Sequence, residues 1–250
     1  MDTAHLSASV PTLCRGLDSL LGGGLKRGAL TTIFGARGVG KTSLSLQAAV
    51  SNALRGAETF FIFCDGAFPG RRLLNIAGER ADGVSQLIHV AMPSSFSEQH
   101  KVLERFEVEV DDHPLTSLFV IDPIDALYTI QISLTSSPER DGQISESNFL
   151  LNKHLGLVAN ICRSRRVAAL ITCGARPSED GPFEVPACAR LMGYWSDNII
   201  ELAKGEDGFQ LKPIKIRGRN RRGRGRHLRY EITDKGLVDC PAGEEDADAD

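Results

Sequence analysis

The chain has 250 residues, of which 42% are hydrophobic and 24% charged, and it carries a formal net charge of −3. That length and usage suit one soluble α/β domain with a full core and small additions. No apolar run approaches the roughly 20 residues of a bilayer span, and Met1 to Ser7 has neither the basic start nor the apolar core of a signal peptide, so a cytoplasmic protein with no membrane partner is expected.

In chain order, residues 1–10 read as an N-terminal tail. Leu17, Leu20 and Leu21 then share a helical face that Gly22, Gly23 and Gly24 bring to a stop. Ala29 to Phe34 is β-branched and apolar enough for a buried strand. It is followed by Gly35-Ala36-Arg37-Gly38-Val39-Gly40-Lys41-Thr42, which fits G-x-x-x-x-G-K-[ST], and then by a helix-forming stretch from Ser43 to Val50. Strand, glycine loop and helix together give this pattern its mechanism: backbone N–H groups turn inward on phosphate oxygens, and the helix start adds its positive dipole end. Lys41 is placed to reach the β- and γ-phosphates, and Thr42 to ligate Mg²⁺. The residues 35–43, ending with Ser43, are therefore the expected nucleotide-binding set, with a nucleoside triphosphate and Mg²⁺ as ligands. No base-specifying motif separates ATP from GTP.

Further along, short β-rich runs lie at Thr59 to Cys64, Leu87 to Val90, Leu118 to Ile121, Val167 to Thr172 and Ile199 to Leu202. Helical stretches separate most of them, at Arg71 to Glu79, Ser97 to Val108 and Ser145 to Arg165. In the last of these, Leu151, Leu155, Val158 and Cys162 form one buried stripe. Alternating strands and helices predict a largely parallel sheet with helices on both faces, and Phe209 to Ile216 with His227 to Ile232 predicts a C-terminal β-hairpin. The strand from Ser117 ends in Asp122, 81 residues after Lys41, where a carboxylate can hold Mg²⁺ beside the phosphate loop. The six cysteines show no C-x-x-C pair and read as buried free thiols. The six histidines show no metal-ligand spacing, and His89, inside a strand, reads as a core residue. No Ser/His/Asp arrangement supports ester or peptide hydrolysis.

The net charge hides an asymmetry. Lys212 to Arg229 contains nine basic residues and no acidic one, while the remaining 20 Lys and Arg face 32 Asp and Glu, a net −12. Residues 240–250 end in Glu244 to Asp250, almost wholly acidic, and are expected to be a disordered tail. Arg217, Arg219, Arg221, Arg222, Arg224 and Arg226, with glycines between them, suit sequence-independent contact with a nucleic-acid backbone. No aromatic residue interleaves them, so base stacking is not signalled there. A solvated loop that offsets the acidic remainder is the other reading.

Pro11 to Gly24, with Gly28, Thr31 and the phosphate loop, resembles the opening of the RecA-type recombinase superfamily, nearest to the archaeal RadA and RadB recombinases and then to KaiC-like ATPases. Met192 to Ile200 is similar to the segment that follows the second DNA-binding loop in RadB proteins. Lys215 to Gly218 with Arg229 to Leu237 resembles the C-terminal hairpin of RadB and KaiC proteins. The resemblance spans residues 11–239 and implies a RecA-like P-loop ATPase core that binds ATP and DNA, single-stranded DNA above all, and serves homologous recombination and repair. It implies a catalytic carboxylate after the second core strand. Asp65 of Phe63-Cys64-Asp65-Gly66 takes that place where the family usually has Glu, so weak hydrolysis is expected; alternatively Asp65 caps the turn at Gly66. It places Arg72 against the adenine ring, where solvated surface is the other reading. It makes Lys215 and Arg217 candidates to act in trans on a neighbouring subunit's γ-phosphate, which requires a homo-oligomer. It marks Gly174 to Met192 as the second DNA loop. Cys173 and Gly174 stand where RadA proteins have a γ-phosphate-sensing Asn-Gln pair, and this departure puts nucleotide control of DNA binding in question. A short RadB-like form implies a helper that works with a RadA-type recombinase. A KaiC-like signalling ATPase and a non-catalytic, nucleotide-gated interaction module are the alternatives.

Overall fold

The computed structural model describes residues 7–134, 140–178, 184–206, 208–218 and 227–240. In chain order the elements are β1 (Ser9–Val10), α1 (Arg15–Leu20), β2 (Leu25–Lys26), β3 (Leu30–Phe34), α2 (Lys41–Ala53), β4 (Glu58–Phe63), α3 (Gly70–Ala77), α4 (Ala81–Ser85), β5 (Ile88–Ala91), α5 (Phe96–Glu109), β6 (Thr116–Asp122), α6 (Ala126–Ser133) and α7 (Arg140–Arg165). Then come β7 (Ala168–Cys173), β8 (Ala175–Pro177), β9 (Glu184–Pro186), α8 (Ala189–Trp195), β10 (Asn198–Gly205), β11 (Gly208–Lys215), β12 (Leu228–Thr233) and β13 (Gly236–Asp239).

Nine strands form one sheet in the order β13-β12-β11-β10-β3-β7-β6-β4-β5. From β10 to β5 every neighbour is parallel, and from β10 to β13 every neighbour is antiparallel. The α/β reading holds, and the predicted hairpin is β11 with β12, extended by β13 into a meander. Period-two alternation splits the apolar residues between two cores. Ile33, Phe61, Leu118, Val120 and Leu170 point to one face, under α1, α2 and α3. Leu30, Phe34, Phe119, Ile121 and Ile171 point to the other, under α5, α7 and α8. The predicted stripe of α7 is buried at all four positions, Leu151, Leu155, Val158 and Cys162. Ser95 caps α5 by accepting from the Glu98 N–H at 3.1 Å, while the Glu98 carboxylate accepts from the Ser94 N–H and hydroxyl at 2.7 and 2.6 Å. All six cysteines are free, four of them buried.

The structure corrects one reading. His89 lies on β5, the edge strand, with 36% of its side chain exposed rather than in the core. The segment from Gly174 to Met192 includes strands β8 and β9, and Met192 itself is fully buried in α8. The predicted tails, 1–10 and 240–250, fall mostly outside the described residues.

The meander is fastened across α2. Buried Gln47 donates through Nε2 to the Leu237 carbonyl at 3.0 Å and accepts from the Leu237 N–H at 2.7 Å. At the N-terminal side, Asp239 accepts from the N–H groups of Arg15 and Gly16, at 2.6 and 2.9 Å, and so neutralises the start of α1. Gln47→Ala strands two buried backbone groups of Leu237, each costing about 1–3 kcal/mol. For a chain of this size the expected fall in Tm is roughly 5–10 °C, to be read by thermal unfolding followed by circular dichroism.

Candidate functional site

Strands β3, β4, β6 and β7 run parallel, so their carboxyl ends open on one side of the sheet, where ligands of open α/β sheets bind. There the loop from Gly35 to Gly40 leaves β3 and enters α2. A Cβ on Gly35 would stand 2.1 Å from the Leu202 carbonyl oxygen of β10, so only glycine fits at that crossing. Gly40 takes the left-handed conformation, φ +93°, at the N-cap of α2, and turns the chain into the helix. The loop borders a cavity of about 610 Å³ together with Asp65, Asp122, Asp125, Thr129 and Gly174.

Of the predicted nucleotide set, Gly35, Ala36, Arg37, Gly38, Gly40, Lys41, Thr42 and Ser43 line this cavity, as do Asp65 and Asp122. Val39 does not: its side chain is buried in the core, and its carbonyl accepts from the Tyr230 hydroxyl of β12 at 2.7 Å. Arg72 lies beside the loop rather than in the cavity wall. Its guanidinium donates to the Ser43 hydroxyl at 3.2 Å and to the Thr233 carbonyl, and pairs with Asp234 at 3.5 Å. It therefore bridges α2 to the β12–β13 turn and is not merely solvated surface.

The electrostatics concentrate on three groups. The Lys41 ammonium donates to the carbonyls of Gly35 and Ala36, at 2.7 and 2.8 Å, and burial lowers its pKa against the pull of Asp122 and Asp125. Asp122 is 1% exposed, and burial raises its pKa above the usual carboxylate range. The Thr172 hydroxyl at the end of β7 donates to its Oδ1, and Thr42 and Lys41 also favour its ionised form. Oδ2 is buried and accepts no hydrogen bond among the described residues. Asp125, also raised by burial, accepts from the Gly174 N–H at 2.9 Å. An unpartnered carboxylate oxygen between a threonine hydroxyl and a lysine is a donor set that fits Mg²⁺, an oxygen-seeking cation that shares its shell with phosphate. Thr172 escaped the sequence reading of the site; a hydroxyl at the carboxyl end of an otherwise apolar strand was the available signal for it.

The two basic candidates that the structure describes lie at the other end of the sheet. Lys215 pairs in register with Ile199 near the start of β10, and its Nζ donates to the carbonyls of Gly193 and Ser196 at 3.1 and 2.6 Å. Arg217 pairs with Asp197 at 3.5 Å and is 66% exposed. Arg219, Arg221, Arg222, Arg224 and Arg226 lie outside the described residues. Among the described residues, no helix is long and apolar enough to cross a membrane.

Residues 6–240 match the sequence model of the Rad51 family. The chain is 30% identical over 227 residues to the DNA repair and recombination protein RadB of Methanobrevibacter smithii, covering 89% of this chain and 93% of that protein. It is 31% identical over 226 residues to the RadB protein of Methanothermobacter thermautotrophicus, covering 89% and 92%. With that of Methanococcoides burtonii it shares 29% over 224 residues, covering 90% and 95%.

The raised pKa of Asp122 fixes the sign of a pH effect. The unfolded chain ionises this carboxyl near the ordinary value of about 4, the folded chain at a higher one, so folding takes up a proton in that window. Its contribution to stability declines as pH rises through the window and stays unfavourable above it. Asp122→Asn should therefore raise the Tm of the nucleotide-free chain at neutral pH relative to the parent, with the difference vanishing in acid. It should also abolish the further stabilisation by Mg·ATP. Thermal unfolding across pH, with and without Mg·ATP, reads both effects.

Proposed function

The chain belongs to the Rad51 family and is a RadB-like recombinase paralogue, and from that premise we propose that it binds ATP with Mg²⁺ at the Gly35–Ser43 loop, hydrolyses it slowly and engages DNA in recombination and repair. The observation that carries the reading is the buried, unpartnered Oδ2 of Asp122 beneath a loop whose first glycine, Gly35, no other residue can replace. Burying a carboxylate without a partner is costly, and a bound cation relieves that cost.

In this reading the loop N–H groups and the α2 N-terminus orient the triphosphate. Lys41 exchanges the carbonyls of Gly35 and Ala36 for β- and γ-phosphate oxygens. Thr42 and Asp122 hold Mg²⁺, which when bound offsets the charge that develops on the phosphates. Thr172 fixes the Asp122 carboxylate so that its second oxygen faces the cation. Asp65, exposed on the cleft wall just past β4, orients the attacking water. Its side chain is one methylene shorter than the glutamate of the family pattern, and a misplacement of about 1 Å can cost ~10²-fold in rate. Arg72, anchored next to Ser43, is in reach of the base-binding side of the loop.

DNA contacts are assigned to Arg217, to the arginines from 219 to 226 and to the β8–β9 hairpin. The hydrogen bond from the Gly174 N–H to Asp125 fastens that hairpin to the nucleotide cleft, and offers a coupling route in place of the missing sensor pair. Lys215 and Arg217 lie too far from their own cleft to act in cis, so any γ-phosphate contact would be made in a homo-oligomer. A RadA-type recombinase is the proposed partner, and the archaeal RadB relatives support that class of role.

The test is ATP turnover by the full chain, with and without single-stranded DNA. DNA-stimulated turnover that Lys41→Ala abolishes, and that Asp65→Glu raises while Asp65→Asn removes, is the expected result. Turnover indifferent to DNA would favour a KaiC-like signalling ATPase. Nucleotide binding with no turnover in either form would leave a nucleotide-gated interaction module.

A further inference from the structure

A second constellation lies at the far end of β4 from Asp65. Glu58 opens β4, His89 is on the edge strand β5, and His113 precedes β6. The register β4–β5 sets His89 beside Phe60, and Glu58 projects from the same face one pleat earlier. Against β6 the register shifts between Glu58 and Thr59, so Ser117 is an extra residue there, a bulge of the kind that re-aims side chains. The Glu58 N–H donates to the Leu115 carbonyl and the Thr116 N–H to the His113 carbonyl, both at 2.9 Å. These bonds press the turn that carries His113 against the start of β4.

The result is two imidazoles and one carboxylate aimed at a common point. His113 Nδ1 lies 3.0 Å from Glu58 Oε2, and His89 Nε2 lies 3.6 Å from the same oxygen. One donor atom from each residue falls within 4.8 Å of the other two, and among the described residues no other three such groups converge this closely. A hydrogen-bonded cluster alone does not account for the arrangement. His89 Nε2 is a buried atom with no hydrogen-bond partner among the described residues, and at 3.6 Å the carboxylate is beyond bonding range. The imidazole rings stand 5.0 Å apart, and both pack on Phe60, at 5.0 and 5.1 Å.

We propose that Glu58, His89 and His113 form a binding site for a divalent transition-metal ion of the zinc type. Two histidines and a glutamate are a ligand set that zinc accepts with a fourth position left to water, and imidazole nitrogen also suits cobalt, nickel and copper. Bonds of about 2.0–2.1 Å in a tetrahedron place ligand atoms about 3.3 Å apart, which rotation of the two partly exposed imidazoles can reach. A cavity of about 370 Å³ adjoins both histidines and is walled by Phe60, Val102 and Phe106. It supplies the path of entry and room for the water ligand. The ion would join β5, β4 and the lead into β6, a staple on an edge strand that otherwise has one neighbour. It stands at the amino ends of these strands, away from the phosphate loop, and is independent of the nucleotide reading.

The experiment titrates Co²⁺ into nucleotide-free, chelator-stripped full-length chain in excess Mg²⁺, which occupies oxygen-only sites. One equivalent should bind with the visible absorption of tetrahedral cobalt and without thiolate charge-transfer bands. Zn²⁺ should displace it and raise the Tm. His89→Ala, His113→Ala and the shape-preserving Glu58→Gln should each lower affinity by more than ~10²-fold, beyond the usual effect of an outer-shell partner. If the histidine variants do not fold, Glu58→Gln alone reads the same loss. Absence of stoichiometric binding overturns the site. So does affinity unchanged in the variants, or charge-transfer bands that assign the ion to cysteines.

Discussion

The contact between Gly35 and the Leu202 carbonyl is the constraint on which the rest of the molecule depends. It sets the point at which the chain leaves β3, and the phosphate loop can curl over the sheet only because no Cβ stands in that gap. The strand that supplies the carbonyl, β10, is also where the sheet changes from parallel to antiparallel. The close approach thus joins the two halves of the sheet at the root of the loop. From β10 the meander folds back over α2, where Tyr230 holds the Val39 carbonyl and Gln47 holds both backbone groups of Leu237. The loop is gripped from below by the sheet and from the side by the last strands, which is how a glycine-rich segment keeps one shape.

Around this fixed loop the chain accepts unfavourable electrostatics. Lys41, Asp122 and Asp125 are all displaced by burial toward their neutral forms; the two carboxylates partly restore the lysine, and the lysine, with hydrogen bonds from Thr172 to Asp122 and from Gly174 to Asp125, partly restores each of them. Mutual compensation of this kind holds a charged set in a low-dielectric place, where its interactions with a polyanion and a cation are strongest. The same arrangement explains why Thr172 sits at the end of a strand that is otherwise apolar. Its hydroxyl occupies one oxygen of Asp122 and leaves the second for a ligand.

The local parts of this design were legible in the sequence, because a phosphate loop specifies its residues one after another. Glycines, lysine and threonine must follow a strand and begin a helix, and the apolar strand ending in Asp122 announces itself in the same way. What the sequence hid is whatever depends on residues brought together from afar. Gln47 and Leu237 are separated by 190 positions, Val39 and Tyr230 by 191, and Thr172 and Asp122 by 50. Each is unremarkable alone. The short helices α6 and α8 also escaped. His89 was misread for a related reason: a strand pattern says that a residue is in a sheet, but not that the strand is at its edge. Only strand order shows that His89 faces Glu58 and His113 across the border of the core.

Asp239 gives the fold a temporal property. Its carboxylate accepts from the first N–H groups of α1, so the opening helix is completed by the last described strand. During synthesis that helix emerges early and waits, with its exposed N–H groups hydrated, until more than two hundred further residues have left the ribosome. The docking of α1 is therefore a contact of very high sequence separation, one whose loop-closure entropy must be met before it stabilises anything.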